Sequence, residues 1–89
     1  MPDKPWIPVV EPGIRVTVLD EEAVLFDGRN ERVHQLDTVG TRMLEACDGE
    51  RSVDEIVAWL LDRYDVEESR LRADLLELLA RLKTLGVVS

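Results

Sequence analysis

Alternation of apolar and polar side chains is the first regular pattern in the chain. It runs from Ile14 to Val18, where every second residue is apolar, as in a half-buried strand. A second apolar run covers residues 23–26, and residues 32–36 form a third predicted strand. An Asp-Gly pair at residues 27–28 marks a tight reversal between the last two. Because the connections are short, the pattern predicts an antiparallel meander; parallel strands require long crossovers.

Three helices are predicted after the strands, and capping residues mark where they begin and end. Asp37 is placed to accept an amide hydrogen from the first turn of one helix, which ends at Gly49. Ser52 and Glu55 have the spacing of a capping box that begins the second helix. The third helix starts with two glutamates and stops at Gly86. The pattern predicts an α+β fold, in which a three-stranded antiparallel β-meander is followed by three α-helices.

Prolines dominate the first part of the chain, at positions 2, 5, 8 and 12. Proline lacks a backbone donor and favours extended conformations. Residues 1–13 are therefore predicted to form an extended N-terminal arm, and residues 14–89 the folded domain. We expect the arm to be a loosely docked tail; contact between Trp6 and a partner protein is the alternative.

Length, charge and cysteine content restrict the function. The 89 residues make one small domain, and a single cysteine excludes an intrachain disulfide and a cysteine-based zinc site. There is no apolar run long enough to span a membrane and no signal peptide, so we expect a cytoplasmic protein without membrane attachment. The net charge of −8 disfavours binding to nucleic acid.

Nothing in the sequence suggests a catalytic centre or a cofactor site. His34 is the only histidine, and Cys47 stands far from it, next to no basic cluster that would lower its pKa. We expect a strand position for His34 and a small buried side chain at Cys47. There is no phosphate-binding glycine loop and no metal-ligand spacing, so we expect a binding protein rather than an enzyme.

Leucines in the third predicted helix are too many for one narrow stripe. Five of them, at positions 71, 75, 78, 82 and 85, follow the spacing of a core-facing seam, and Leu76 and Leu79 widen it on one side. A broad core face is the preferred explanation of this pattern. The alternative is that Leu76 and Leu79 border a groove, flanked by Arg72 and Lys83, that is ready for an amphipathic acidic peptide.

Four motifs resemble those of one known family. They are LDxxG at residues 36–40, CDG at residues 47–49, SVxxIV at residues 52–57 and DLxxLLxxL at residues 74–82. Together with the order of strands and helices, they are similar to the coenzyme PQQ synthesis protein D (PqqD) family, also known as the RiPP precursor peptide recognition element. The resemblance covers about residues 14–88. The family usually has Asn where Asp37 stands here, and the two residue types are comparable N-caps.

The resemblance implies a winged helix-turn-helix domain that binds the leader segment of a ribosomally synthesised precursor peptide. In such proteins the leader adds as an antiparallel strand to the third strand and lies against the third helix. The protein then delivers the peptide to a modifying enzyme, in RiPP (lasso-type or related) or PQQ biosynthesis. The residues expected to bind the peptide are Arg32, Val33, His34 and Gln35 on the strand and Arg72, Leu76, Leu79 and Lys83 on the helix.

The resemblance also implies partners. The enzyme that receives the peptide is a leader peptidase, a cyclase or a radical S-adenosylmethionine enzyme, and the protein itself is expected to be a monomer or weak dimer. Two other functions fit the pattern. A winged-helix DNA-binding protein has this order of elements, but residues 54–62 contain no basic side chain to face phosphate. A structural dimerisation module would use the leucine-rich third helix.

Overall fold

Three strands followed by three helices make up the part of the chain that the computed structural model describes, residues 5–89. The elements are β1 (Ile14–Leu19), β2 (Glu22–Asp27), β3 (Arg32–Gln35), α1 (Thr38–Glu45), α2 (Val53–Arg63) and α3 (Glu68–Thr84). The sheet has the order β1-β2-β3, and both strand pairs are antiparallel. The predicted α+β fold and its β-meander are confirmed.

A two-residue turn joins β1 to β2. Asp20 and Glu21 have positive φ angles of 50° and 65°, and Leu19 lies opposite Glu22 in the strand pair. This is the backbone of a type I′ hairpin turn, whose twist matches that of the paired strands. Because neither central residue is glycine, the turn keeps its left-handed conformation at some energetic cost.

Asp27 organises the turn between β2 and β3. Its side chain is buried and accepts hydrogen bonds from the backbone N–H of Arg29 at 3.0 Å and of Asn30 at 3.3 Å. The Asn30 side-chain amide also donates to it, at 2.9 Å. This last bond is the largest of the contributions that hold the pKa of Asp27 below its ordinary value of 3.8. The reversal predicted at this position is therefore stabilised by the aspartate carboxylate.

The start of α1 explains the LDxxG motif. The carboxylate of Asp37 accepts a hydrogen bond from the N–H of Gly40 at 2.7 Å, as the N-cap prediction required. A Cβ atom on Gly40 would lie 3.2 Å from Asp37 Oδ1 and 3.4 Å from Leu36 Cβ. Glycine at this position therefore lets the cap and the buried Leu36 side chain approach the helix closely.

The start of α2 and the end of α3 are confirmed as well, whereas α1 ends at Glu45, earlier than the predicted end at Gly49. Glu55 N–H donates to Ser52 Oγ at 3.3 Å, and Ser52 N–H donates to Glu55 Oε1 at 3.0 Å, which completes the capping box of α2. Gly49, before α2, and Gly86, after α3, have φ angles of 80° and 78°. Both take the left-handed conformation that a side chain disfavours.

The helices pack on one face of the sheet. Ala23 and Leu25 of β2 are 0% exposed there, whereas Phe26 on the opposite face is exposed. Their partners in the core come mainly from α2 and α3: Ile56, Val57, Leu60, Leu71, Leu75, Leu78, Leu79 and Leu82. Within residues 5–89 no helix is long and apolar enough to cross a membrane.

The N-terminal arm is extended, as predicted, but the described part is firmly docked. The backbones of Val9 and Ser89 exchange two hydrogen bonds, at 3.2 and 2.9 Å, and the N–H of Glu11 donates to Val87 at 2.8 Å. Trp6 Nε1 donates to the carbonyl oxygen of Ser89 at 3.2 Å. The donors between the prolines thus pair with the end of the chain, which is why residues 5–13 are not the loose tail expected. The rest of the predicted arm, residues 1–4, lies outside the described residues.

Candidate functional site: the open edge of the third strand

The third strand has a neighbour on one side only, because the sheet ends at β3. The N–H of Leu36 donates to the carbonyl oxygen of Ala23 at 2.9 Å, so the backbone groups of Leu36 face β2. This direction alternates along an antiparallel strand, so His34 also faces β2, and Val33 and Gln35 face the open edge. Two N–H groups and two carbonyl oxygens are therefore available to an added strand.

The side chains of β3 point alternately to the outer face and to the core face of the sheet. Val33 is on the outer face, 63% exposed, directly opposite Phe26. Such a pair shares no backbone hydrogen bond, and its side chains come close together. His34 is half-buried on the core face, and its Nε2 atom has no hydrogen-bond partner within residues 5–89. Arg32 and Gln35 are exposed.

A cleft of about 420 Å³ opens where β3 leads into α1. The start of α1 forms one wall, and one flank of α3 forms the other. The lining residues are Asp37, Val39, Gly40 and Met43 on the first wall and Asp74, Glu77, Leu78 and Arg81 on the second. Because Asp37 follows the end of β3 by only two residues, the cleft begins next to the end of that strand.

The two basic residues predicted on the third helix lie on its other flank. Arg72 Nη1 is 2.6 Å from Asp54 Oδ1, and Asp54 belongs to α2. Lys83 Nζ lies 5.0 Å from the centre of the Trp6 ring. This flank of α3 therefore faces α2 and the N-terminal arm, and the structure does not bring either cation to the open edge of β3.

The two predicted leucines also differ from expectation. Leu79 is 0% exposed and belongs to the core, so it cannot touch a peptide at the surface. Leu76 is 43% exposed, but it shares a surface hollow with Arg72, away from β3. The residues of the predicted helix wall, Arg72, Leu76, Leu79 and Lys83, thus lie away from the cleft at the end of β3, and Asp74, Leu78 and Arg81 line it instead. The physical reason is that a helix has a flank on each side of its core seam, and spacing alone does not say which flank adjoins the sheet edge.

A second cleft, of about 430 Å³, lies between α1, the end of α2 and the start of α3. Apolar side chains at its rim are exposed: Val39 by 60%, Tyr64 by 40% and Val66 by 49%. Val39 and Met43 line both clefts, so the two depressions meet at α1. Sequence reasoning missed this region, because Val39 and Tyr64 occur at helical core spacing and only the packing leaves them exposed.

The thiol of Cys47 is not activated as a nucleophile. Cys47 is buried, and its thiol donates to the carbonyl oxygen of Met43 at 3.4 Å. Burial raises the pKa of this thiol to about 11, so it stays protonated at neutral pH and is a poor nucleophile. Residues 5–89 hold no group of three or more His, Cys, Asp or Glu side chains able to bind a metal ion.

The surface of α2 is unlike a phosphate-binding helix. The guanidinium groups of Arg51 and Arg63 lie 5.0 and 3.8 Å from the centre of the Trp59 ring. Arg51 is also paired with Asp48 at 3.2 Å. These cations are engaged within the protein, and the exposed positions between them include carboxylates, so the geometry disfavours DNA binding.

Comparisons with known proteins give the family of this chain and similar folds. The sequence profile of a family described as coenzyme PQQ synthesis protein D (PqqD) matches residues 22–88. No curated protein matches the sequence. One similar solved structure is TbiB1 in complex with the TbiA(beta) leader peptide, with a TM-score of 0.82, 22% identity, and coverage of 90% of this chain and 93% of that chain. Another is a lasso peptide synthetase B1 complexed with the leader peptide, with a TM-score of 0.82, 25% identity, and coverage of 94% and 99%.

Proposed function

This chain belongs to the coenzyme PQQ synthesis protein D family, and from that membership we propose that it binds the leader segment of a ribosomally synthesised precursor peptide. The leader adds to the open edge of β3 as a fourth, antiparallel strand. The observation that carries the proposal is the orientation of Val33 and Gln35, whose backbone groups face an edge without a neighbour. Both similar solved structures hold a leader peptide, which supports the proposal.

Affinity and selectivity have different sources at this site. Backbone hydrogen bonds to Val33 and Gln35 hold any extended peptide in register, and each contributes about 0.5–1.5 kcal/mol. Side chains of the leader that point outward lie next to exposed Val33, and those that point inward meet the flank of α3 at Leu78. Selectivity comes from these side-chain contacts, because the backbone bonds are the same for every sequence.

Antiparallel addition fixes the direction of the bound leader. Its upstream residues lie at the end of β3, next to the cleft by α1, and its downstream residues lie near the turn that precedes β3. The part of the precursor to be modified therefore leaves the protein near Arg29 and Arg32. A modifying enzyme would approach from this side.

The role is delivery rather than catalysis. A protonated, buried Cys47 and a half-buried His34 offer no activated nucleophile near the edge. The enzyme partner is a leader peptidase or cyclase of a lasso-type system, which the two similar solved structures favour, or a radical S-adenosylmethionine enzyme in PQQ biosynthesis. A cytoplasmic location stays a prediction.

Packing disfavours the dimerisation module. Leu79 is buried in the core, and Leu76 is the one leucine of α3 that is exposed. A single exposed leucine is far short of the roughly 1,000 Å² that a stable interface buries. We therefore expect a monomer in solution.

Calorimetric titration with synthetic leader peptides from candidate precursors tests the proposal. Gln35→Pro removes an N–H that faces the open edge and should weaken leader binding about tenfold. Val18→Pro is the matched control, because Val18 faces the other free edge of the sheet, on β1. If both variants bind every peptide as the wild type does, or lose affinity equally, leader addition to β3 is wrong.

A further inference from the structure

Charged residues lie along both walls of the site, which are the strand side, from β3 to the start of α1, and the flank of α3 that lines the cleft. On α3, Asp74 and Glu77 precede Arg81 by one to two turns. On the strand side, Asp37 follows the end of β3, and Arg32 is its first residue. In both walls acidic residues are at one end and a basic residue is at the other.

The acidic ends of the two walls lie together, and so do the basic ends. Asp37 and Asp74 line the same cleft. At the other end, Arg29 in the turn before β3 donates to the carbonyl oxygen of Gly86, just after α3, at 2.9 Å. The strand and the helix flank therefore run in opposite directions. Beside α1 the site is negative, through Asp37 and Asp74. Toward the turn between β2 and β3 there are three basic groups, Arg29, Arg32 and Arg81, and two carboxylates, Asp27 and Glu31, so that end is positive by one charge.

The charged groups of the site are accessible. Arg32, Glu77 and Arg81 are exposed, and none of them forms an ion pair within residues 5–89. Asp74 is exposed too, and its one cationic neighbour is Arg70, with Nε 4.0 Å away. Arg72, on the opposite flank of α3, is by contrast held by Asp54 at 2.6 Å.

From this arrangement we propose that the site discriminates between leaders by the order of their charged residues. It binds leaders that carry a basic side chain upstream of the strand-forming residues and an acidic side chain downstream. The inference rests on the proposed function, because antiparallel addition is what places the upstream residues at the acidic end. A leader with the reverse order meets a like charge at both ends. Each end then loses an attraction and gains a repulsion, and both changes weaken binding.

Selection of peptides by the intact chain provides the test. Random 15-residue peptides are displayed and selected on the immobilised protein. Those that bind the Val18→Pro variant but not the Gln35→Pro variant are kept as ligands of the β3 edge. Among them, Lys and Arg should be enriched upstream of the apolar, strand-forming segment, and Asp and Glu downstream. For one selected peptide, exchanging the upstream and downstream charges should weaken binding about three- to tenfold.

Charge reversal on the protein gives the second measurement. The double variant Asp74→Lys/Glu77→Lys changes two exposed positions and should reverse the upstream preference. The control Glu50→Lys/Asp62→Lys changes the net charge equally, at exposed positions away from the cleft, and should leave the preference as it is. The difference between the two charge orders should also shrink in 1 M salt, where the screening length is about 3 Å.

The outcomes separate the two ideas. Peptides that bind the β3 edge without any charge order, or with an order that the double variant leaves unchanged, overturn the inference alone. A selection that yields no peptide sensitive to Gln35→Pro overturns the proposed function, and the inference with it.

Discussion

The side-chain hydroxyl of Thr41 accepts a hydrogen bond from the backbone N–H of Ala23 at 2.8 Å, and both residues are buried. The carbonyl oxygen of Ala23 in turn accepts from Leu36, so α1 closes the end of the β2–β3 ladder. The strand with the open edge is thereby tied to the helix that forms one wall of the cleft.

Replacement of Thr41 should weaken this connection measurably. Thr41→Val keeps the shape of the side chain but leaves the buried N–H of Ala23 without its acceptor, which should lower the free energy of unfolding by about 1–3 kcal/mol. Urea denaturation measures the change. Thr17→Val, at an exposed position of β1, is the control and should be nearly neutral. Equal effects of the two substitutions would show that the Thr41 bond does not stabilise the fold.

Charge reversal on either flank of α3 should show whether the leader contacts the flank that lines the cleft or the flank predicted from the sequence. Arg81→Glu alters the flank that lines the cleft, and Lys83→Glu alters the flank next to Trp6. Both positions are exposed and both substitutions change the charge equally. We expect a two- to fivefold loss of leader affinity, roughly, for Arg81→Glu and none for Lys83→Glu, measured by fluorescence anisotropy. The opposite ranking would favour the flank predicted from the sequence.

The stability of the fold should depend on pH through Asp27. The pKa of this carboxyl is lower in the folded protein than its ordinary value of 3.8, so the ionised form stabilises the fold above that pH. The stabilisation is lost as the pH falls below 3.8 through the folded-state value. Asp27→Asn removes this dependence.

Urea denaturation from neutral pH down to about pH 2.5 measures the effect. The advantage of the wild type over Asp27→Asn should shrink toward the acidic end of the range. Asp62→Asn, at an exposed position of α2, serves as the control and should follow the wild type throughout. A constant difference between wild type and Asp27→Asn would mean that the Asp27 charge does not contribute.

A side chain at Gly86 should destabilise the protein through backbone conformation alone. Its φ angle is 78°, and a Cβ atom there would meet nothing within 4 Å. Gly86→Ala should therefore cost about 1–2 kcal/mol, the price of a left-handed conformation, without any clash. Gly28→Ala is the control, since its Cβ would make only an ordinary contact with Phe26 at 3.6 Å. Thermal unfolding that ranks the two variants equally would contradict this explanation.

Local signals predicted the fold well because they act over a few residues. The Asp37 cap and the Ser52–Glu55 capping box each join residues three positions apart, and Gly86 acts on its own backbone. Alternation likewise predicted the first strand, and an apolar run predicted the second. The predicted third strand ran one residue too far, although Leu36 still donates to Ala23.

The edge of the site was also accessible to sequence reasoning, since the last strand of a meander has one neighbour by construction. The flank of α3 that lines the cleft could not be predicted from the sequence. Asp74 and Arg72 are two residues apart, yet one lines the cleft and the other pairs with Asp54 of α2. Both flanks border the same leucine seam, and neither is distinguished by spacing or composition.

The sequence by itself therefore determined the elements, most of their ends and the exposed strand, because each depends on backbone conformation and on neighbours within a helical turn or a strand pair. Only the tertiary structure decided which flank of α3 lines the cleft at the end of β3 and that residues 5–13 pair with residues 87–89. Those outcomes depend on how the helices pack on the sheet and on hydrogen bonds such as that between Val9 and Ser89, which join distant parts of the chain. The pattern of residues along the chain specifies neither the helix packing nor these long-range hydrogen bonds.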